Sequence, residues 1–113
     1  MRYLLLLTGE DPGTEVVPDP SVCAHWTAEM TRRGVLRQTE GLRPVAESTT
    51  VRVRGDEVLL TDGPFAETKD QVGGLTIIDC ADLDEAIEVA AAHPAAALGA
   101  VEIRPIMDPV PNP

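Results

Sequence analysis

A chain of 113 residues with 43% apolar side chains is long enough for one domain with its own core and too apolar for disorder. Its formal net charge of −10, with no basic run to offset it, argues against nucleic acid and anionic membranes as partners. Phosphate backbones are bound through Lys and Arg, and this surface repels them. Aromatic residues make up only 3%, one each of Phe, Trp and Tyr, so Leu, Val, Ile and Ala must build the core and Trp26 and Phe65 stand out.

The first residues, Met1-Arg2-Tyr3-Leu4-Leu5-Leu6-Leu7, have too short an apolar run for a signal peptide, and no small-residue cleavage site follows. No stretch approaches the ~20 apolar residues of a spanning helix. A cytoplasmic location is expected. Cys23 and Cys80 form no CxxC pair and sit in apolar stretches, which suits two reduced thiols.

In chain order, the apolar run Tyr3–Leu7 suits a central strand. Residues 8–20, with Gly9, Gly13, Pro12, Pro18 and Pro20, read as a loop. Asp19-Pro20 is a helix start, a capping carboxylate followed by proline at the first helical position. The helix is expected from Pro20 to Arg33, with Cys23, Trp26 and Met30 on its core face and Gly34 as terminator. Val35–Thr39 is a short strand. Thr49–Arg54 and Val58–Thr61 pair as a hairpin through the turn Gly55-Asp56. A loop from Asp62 to Gly73-Gly74 leads to a strand over Leu75–Asp79. Asp82 and Glu85 form an Asp-x-x-Glu capping box for a helix whose apolar stripe is Leu83, Ala86, Ile87, Ala90 and Ala91, and Pro94 ends it. His93 is expected to interact with the last carbonyls of that helix. Val101 and Ile103 alternate with Glu102 and Arg104 in a last strand. One domain is expected over residues 1–105, followed by a proline-rich tail at 106–113 that frays.

Without the hairpin this order is βαββαβ, a ferredoxin-like α+β plait with both helices on one face of an antiparallel sheet. The other sheet face needs cover. Two sheets packed face to face in a homodimer, a dimeric α/β-barrel type of assembly, would supply it.

The segment Thr61-Asp62-Gly63-Pro64-Phe65-Ala66-Glu67-Thr68-Lys69 resembles the signature of the YCII-related family, in its DGPF branch. Gly34-Val35-Leu36, Glu40-Gly41-Leu42-Arg43-Pro44, Thr50–Arg54, Gly73-Gly74, Asp82–Ala86 and Val101–Pro105 resemble that branch in the same order. Leu75 departs from it, standing where the family has an aromatic residue after the double glycine. The resemblance implies the dimeric ferredoxin-like fold. It also implies relatives that act on small organic molecules, one reaction being dehydrochlorination of a chlorinated hydroxyquinol. Other members of the branch are encoded beside extracytoplasmic-function sigma factors, which implies a regulatory setting. Several YCII-like proteins carry a first-helix histidine with an acidic partner as a proposed catalytic pair. Here the first helix holds His25, beside Trp26 at an aromatic position of the branch.

Two uses of the 62–69 loop stay open. Turn chemistry alone accounts for Asp62, Gly63 and Pro64, with Phe65 inserted as an apolar anchor that locks the hairpin to the sheet. Alternatively the loop is the rim of a cleft. The candidate proton carriers are Asp62 and His25, and the candidate substrate-binding residues are Arg52, Phe65, Glu67, Lys69 and Arg104. His25 and Glu29 share a helix face at i, i+4 spacing, and no third residue has metal-ligand spacing. No phosphate loop or nucleophile elbow is present, and no cofactor is expected. Two functions from different classes fit. One is a cofactor-independent enzyme that moves a proton on a small anionic or polar metabolite, as an isomerase, lyase or dehydrochlorinase does. The other is a non-catalytic dimeric module that binds a metabolite or a protein, linked to sigma-factor regulation.

Overall fold

The computed structural model describes residues 1–9, 20–63 and 71–107. The expected cap Asp19, the loop residues Phe65, Glu67 and Lys69, and the tail from residue 108 onward lie outside the described residues. The described elements are β1 (Arg2–Gly9), α1 (Pro20–Arg32), β2 (Leu36–Gly41), a 3₁₀ turn at Val45–Glu47, β3 (Thr49–Arg54), β4 (Glu57–Asp62), β5 (Gln71–Asp79), α2 (Leu83–Ala91), α3 (Pro94–Leu98) and β6 (Gly99–Pro105). Four strands form an antiparallel sheet in the order β2-β5-β1-β6, and β3 pairs with β4 in a separate two-stranded sheet. The fold is α+β, and this strand order is compatible with the ferredoxin-like plait. Among the described residues no helix is long and apolar enough to cross a membrane.

Alternation along the strands divides the four-stranded sheet into two faces. Tyr3 and Leu5 on β1 oppose Ile78 and Thr76 on β5. These residues join Trp26 and Met30 of α1 and Ala86, Val89 and Ala90 of α2 in the core. Thr76 is fully buried, and its hydroxyl is matched by the Thr39 hydroxyl at 2.9 Å. The second face carries Leu4, Leu6, Leu75 and Ile77, all half-buried. Gln38 and Glu40 flank it on β2, Glu102 and Arg104 on β6.

Helix ends follow their caps. Gly34 takes φ +75° just after α1, and Val35 N–H closes on the Met30 carbonyl at 3.1 Å, so Val35 ends the helix turn instead of opening β2. Asp82 Oδ1 accepts from Glu85 N–H at 2.9 Å. The Glu85 carboxylate reaches Ala81 N–H at 3.3 Å, one residue earlier than the reciprocal bond of a capping box.

Several sequence expectations change. The buried side of α2 is Ala86, Val89 and Ala90, while Leu83 and Ile87 are each 49% exposed. β1 runs on through Thr8 and Gly9, and β5 starts at Gln71, so Gly73-Gly74 lies inside a strand. A Cβ at Gly74 would crowd the Glu40 carbonyl and the Leu7 side chain at 3.2 Å. Gly99 is tighter still, since a Cβ there would overlap the Thr8 carbonyl oxygen across the β1–β6 pair. Pro94 follows the end of α2 and also starts α3, where proline suits the first helical position.

His93 is the clearest correction. Its backbone N–H does meet the last carbonyls of α2, at the Ala90 oxygen 3.0 Å away, but its side chain serves the next helix instead. It caps α3, its Nδ1 accepting from Ala95 N–H at 3.0 Å. Only 6% exposed, it stands edge-on to Trp26 with ring centroids 4.7 Å apart. An accepting Nδ1 leaves the proton on Nε2 of a neutral ring. Burial lowers its pKa from the ordinary 6.5. The unfolded chain therefore binds the proton more readily, and stability falls as pH drops below about 6.5 toward the folded value. Urea unfolding at rising acidity should show this loss. His93→Asn replaces the Nδ1 acceptor with an amide oxygen that can still cap α3 and does not titrate, and it should flatten the pH dependence below about 6.5. Parallel profiles for the two proteins would show that His93 is not its source.

Candidate functional site

Helix α1 turns two neighbouring stripes toward one cleft. Trp26 and Met30, spaced i, i+4, are nearly sealed and form its floor. His25 and Glu29, also i, i+4, stand beside them on the rim, and Ala92 just past α2 closes the far side. The cleft measures about 180 Å³. That is below the ~300–1,000 Å³ of sites for larger ligands, so only a small guest fits within one chain.

The carboxylate on the rim is held from one side. Arg32 grips Glu29 through Nη2–Oε1 at 2.6 Å and Nε–Oε2 at 3.0 Å. That hydrogen bonding holds the Glu29 carboxyl below its ordinary pKa, with the charges of Arg32, Arg33 and His25 adding to the effect. Glu29 is thus a fixed negative charge, while the His25 imidazole beside it is exposed. These two side chains supply two possible metal donors, and among the described residues no third His, Cys, Asp or Glu completes a group.

Asp62 lies elsewhere, exposed at the end of β4 opposite Thr49. It lines no part of the cleft, and among the described residues no hydrogen bond or ion pair joins it to His25. The next residue is a structural corner. Gly63 takes φ +97°, donates its N–H to the Ser48 carbonyl at 2.7 Å and accepts from the Thr50 hydroxyl at 2.8 Å. Those bonds latch the end of β4 to the start of β3. Arg52 stands midway along β3, opposite Leu59.

Arg104 is in a third place. It lies opposite Leu4 on the sheet face turned away from the core, exposed, with Glu102 3.9 Å away. Of the described members of the expected set, which are Asp62, His25, Arg52 and Arg104, the cleft holds only His25, with Glu29 as its neighbour. Met30 and Ala92 complete the cleft. Met30 read from sequence as a core residue, and Ala92 carried no signal because it comes from a different element. Cys80 is buried, which pushes its thiol up to about 11 with help from Glu85, so it is a poor nucleophile at neutral pH.

Comparison with known sequences places this geometry in a family. The model of the YCII-related domain matches residues 1–109. An uncharacterised protein of Rhizobium meliloti (strain 1021) is 36% identical over 107 residues, an alignment covering 78% of this chain and 85% of the relative.

The Gly63 corner can be tested directly. Among the described residues no atom lies within 4 Å of a Cβ built there, so Gly63→Ala adds backbone strain without a clash with them. It should loosen the hairpin base by about 1–2 kcal/mol. Faster amide hydrogen exchange in β3 and β4, with exchange in α2 unchanged, is the expected result. Unchanged exchange at Gly63 and in β4 would show that the corner is not under conformational constraint.

Proposed function

This chain belongs to the YCII-related family, and we propose that it is a homodimeric, cofactor-independent enzyme that moves a proton on a small polar organic molecule held over Trp26. The observation that carries this is the exposed His25 imidazole beside the fixed Glu29 charge, on the rim of a cleft with an apolar floor. Imidazole is the side chain best suited to take and return a proton near neutral pH. Glu29, held as a carboxylate by Arg32, stands beside that imidazole as a fixed negative charge. Trp26 and Met30 offer an apolar bed for the body of the guest. Isomerisation, elimination and dehydrochlorination all begin with such a proton abstraction.

His25, not Asp62, carries the proton in this scheme, because Asp62 lines no part of the cleft. The dimer forms face to face through Leu4, Leu6, Leu75 and Ile77, which puts Arg104 at the junction of the two chains.

Trp26 is the only tryptophan and lies in the cleft, so it reports occupancy by its fluorescence. Catechol, hydroxyquinol and 4-hydroxybenzoate are suitable first probes. At least one should shift the Trp26 emission and exchange a carbon-bound proton for solvent deuterium, followed by NMR. His25→Gln should lower that exchange by about 10²–10⁴-fold while keeping the emission shift. Exchange that survives His25→Gln would remove His25 from the role. An emission shift without exchange in the unmodified protein would make the cleft a binding site only.

A further inference from the structure

The β3–β4 hairpin is amphipathic, and its apolar side is bare. Val51 opposes Leu60 and Val53 opposes Val58, which puts all four on one face. They are 59%, 68%, 58% and 64% exposed respectively. The other face pairs Thr50 with Thr61, Arg52 with Leu59 and Arg54 with Glu57. The hairpin is well specified: its register is regular over six pairs, Gly55 at φ +61° opens the tight turn, and the Gly63 bonds latch its base. A two-stranded hairpin alone is at best marginally stable in water and needs something to pack against. A contiguous aliphatic patch of this kind marks an interaction surface.

We infer that this hairpin is an arm that docks on a second copy of the chain, with Val51, Val53, Val58 and Leu60 as its contact surface. The inference rests on the homodimer proposed above and adds a second contact to it. Stable interfaces bury about 800 Å² on each partner. The sheet face offers Leu4, Leu6, Leu75 and Ile77, but these are already half-buried within the chain and leave little area to contribute. The hairpin holds four aliphatic side chains, each more than half exposed, on the same molecule. Two-fold symmetry uses every patch twice, so each arm adds its area to both halves of the interface.

Sedimentation velocity over a concentration series tests this, comparing the unmodified protein with Val53→Glu/Leu60→Glu and, separately, Leu6→Glu. The hairpin positions are exposed within one chain, so circular dichroism should show the double variant folded like the unmodified protein. Its dimer dissociation constant should rise by at least about tenfold. In addition, p-benzoylphenylalanine at position 60 should photocrosslink to a second copy. If Leu6→Glu dissociates the dimer and the hairpin variant does not, the arm is overturned while the sheet-face dimer stands. If the hairpin variant dissociates it and Leu6→Glu does not, the arm holds and the sheet-face contact fails. A monomer at every concentration overturns both. Crosslinking from position 60 only to a different protein in a cell extract would overturn the second copy as the occupant.

Discussion

The indole of Trp26 ties the helical layer together. At the end of α2, His93 N–H bonds back to the Ala90 carbonyl at 3.0 Å, which leaves the Val89 carbonyl without its next helical donor. Trp26 Nε1–H fills that gap at 3.0 Å, in a fully buried hydrogen bond between α1 and α2. The same ring meets the edge of His93, whose Nδ1 starts α3 through Ala95. Helix α3 leads directly into Gly99, where the chain comes too close to the Thr8 carbonyl for any side chain. One residue of α1 thus reaches the end of α2, the start of α3 and, through them, the pairing of β6 with β1. The cleft beside His25 shares this support, because Trp26 is also its floor.

The two sides of the sheet do different work. On the core side, helices cover Tyr3, Leu5 and Ile78, and a small cleft lies at their outer surface. The far side and the hairpin display aliphatic residues that one chain does not fully bury. A small α+β domain gains stability by burying such surface, and a second copy can provide it without a second gene product. The proposed chemistry lies on the helical side, and the proposed assembly uses the far face of the four-stranded sheet and the separate hairpin. Arg104, on that far face, and Asp62, at the end of β4, fit an active site when read from sequence but lie away from the cleft.

Much of the fold was legible because local chemistry decided it. The Tyr3–Leu7 run, Gly34 after α1, Asp82 before α2 and the Gly55-Asp56 turn all lie where their residue types predict. Tertiary contacts decided the rest. The α2 stripe could be drawn through Leu83 and Ile87 or through Val89, and the Trp26 bond to the Val89 carbonyl accompanies the second choice. His93-Pro94 reads as a helix end, and the structure uses it also as a helix start. The site was legible only in part. His25 and Glu29 were visible as a helical pair, but Ala92 comes from another element, and the separation of Asp62 and Arg104 from His25 is a property of topology that no local pattern encodes.

The most direct test of this account is Trp26→Phe, which keeps an aromatic ring in the core and deletes the indole N–H. The Val89 carbonyl is then left buried without its partner, at a cost of about 1–3 kcal/mol. Native-state hydrogen exchange should show lost protection in the last turn of α2 and the first turn of α3, with β3 and β4 unaffected. A variant with protection across His93–Ala95 equal to that of the unmodified protein would contradict the central role given to Trp26.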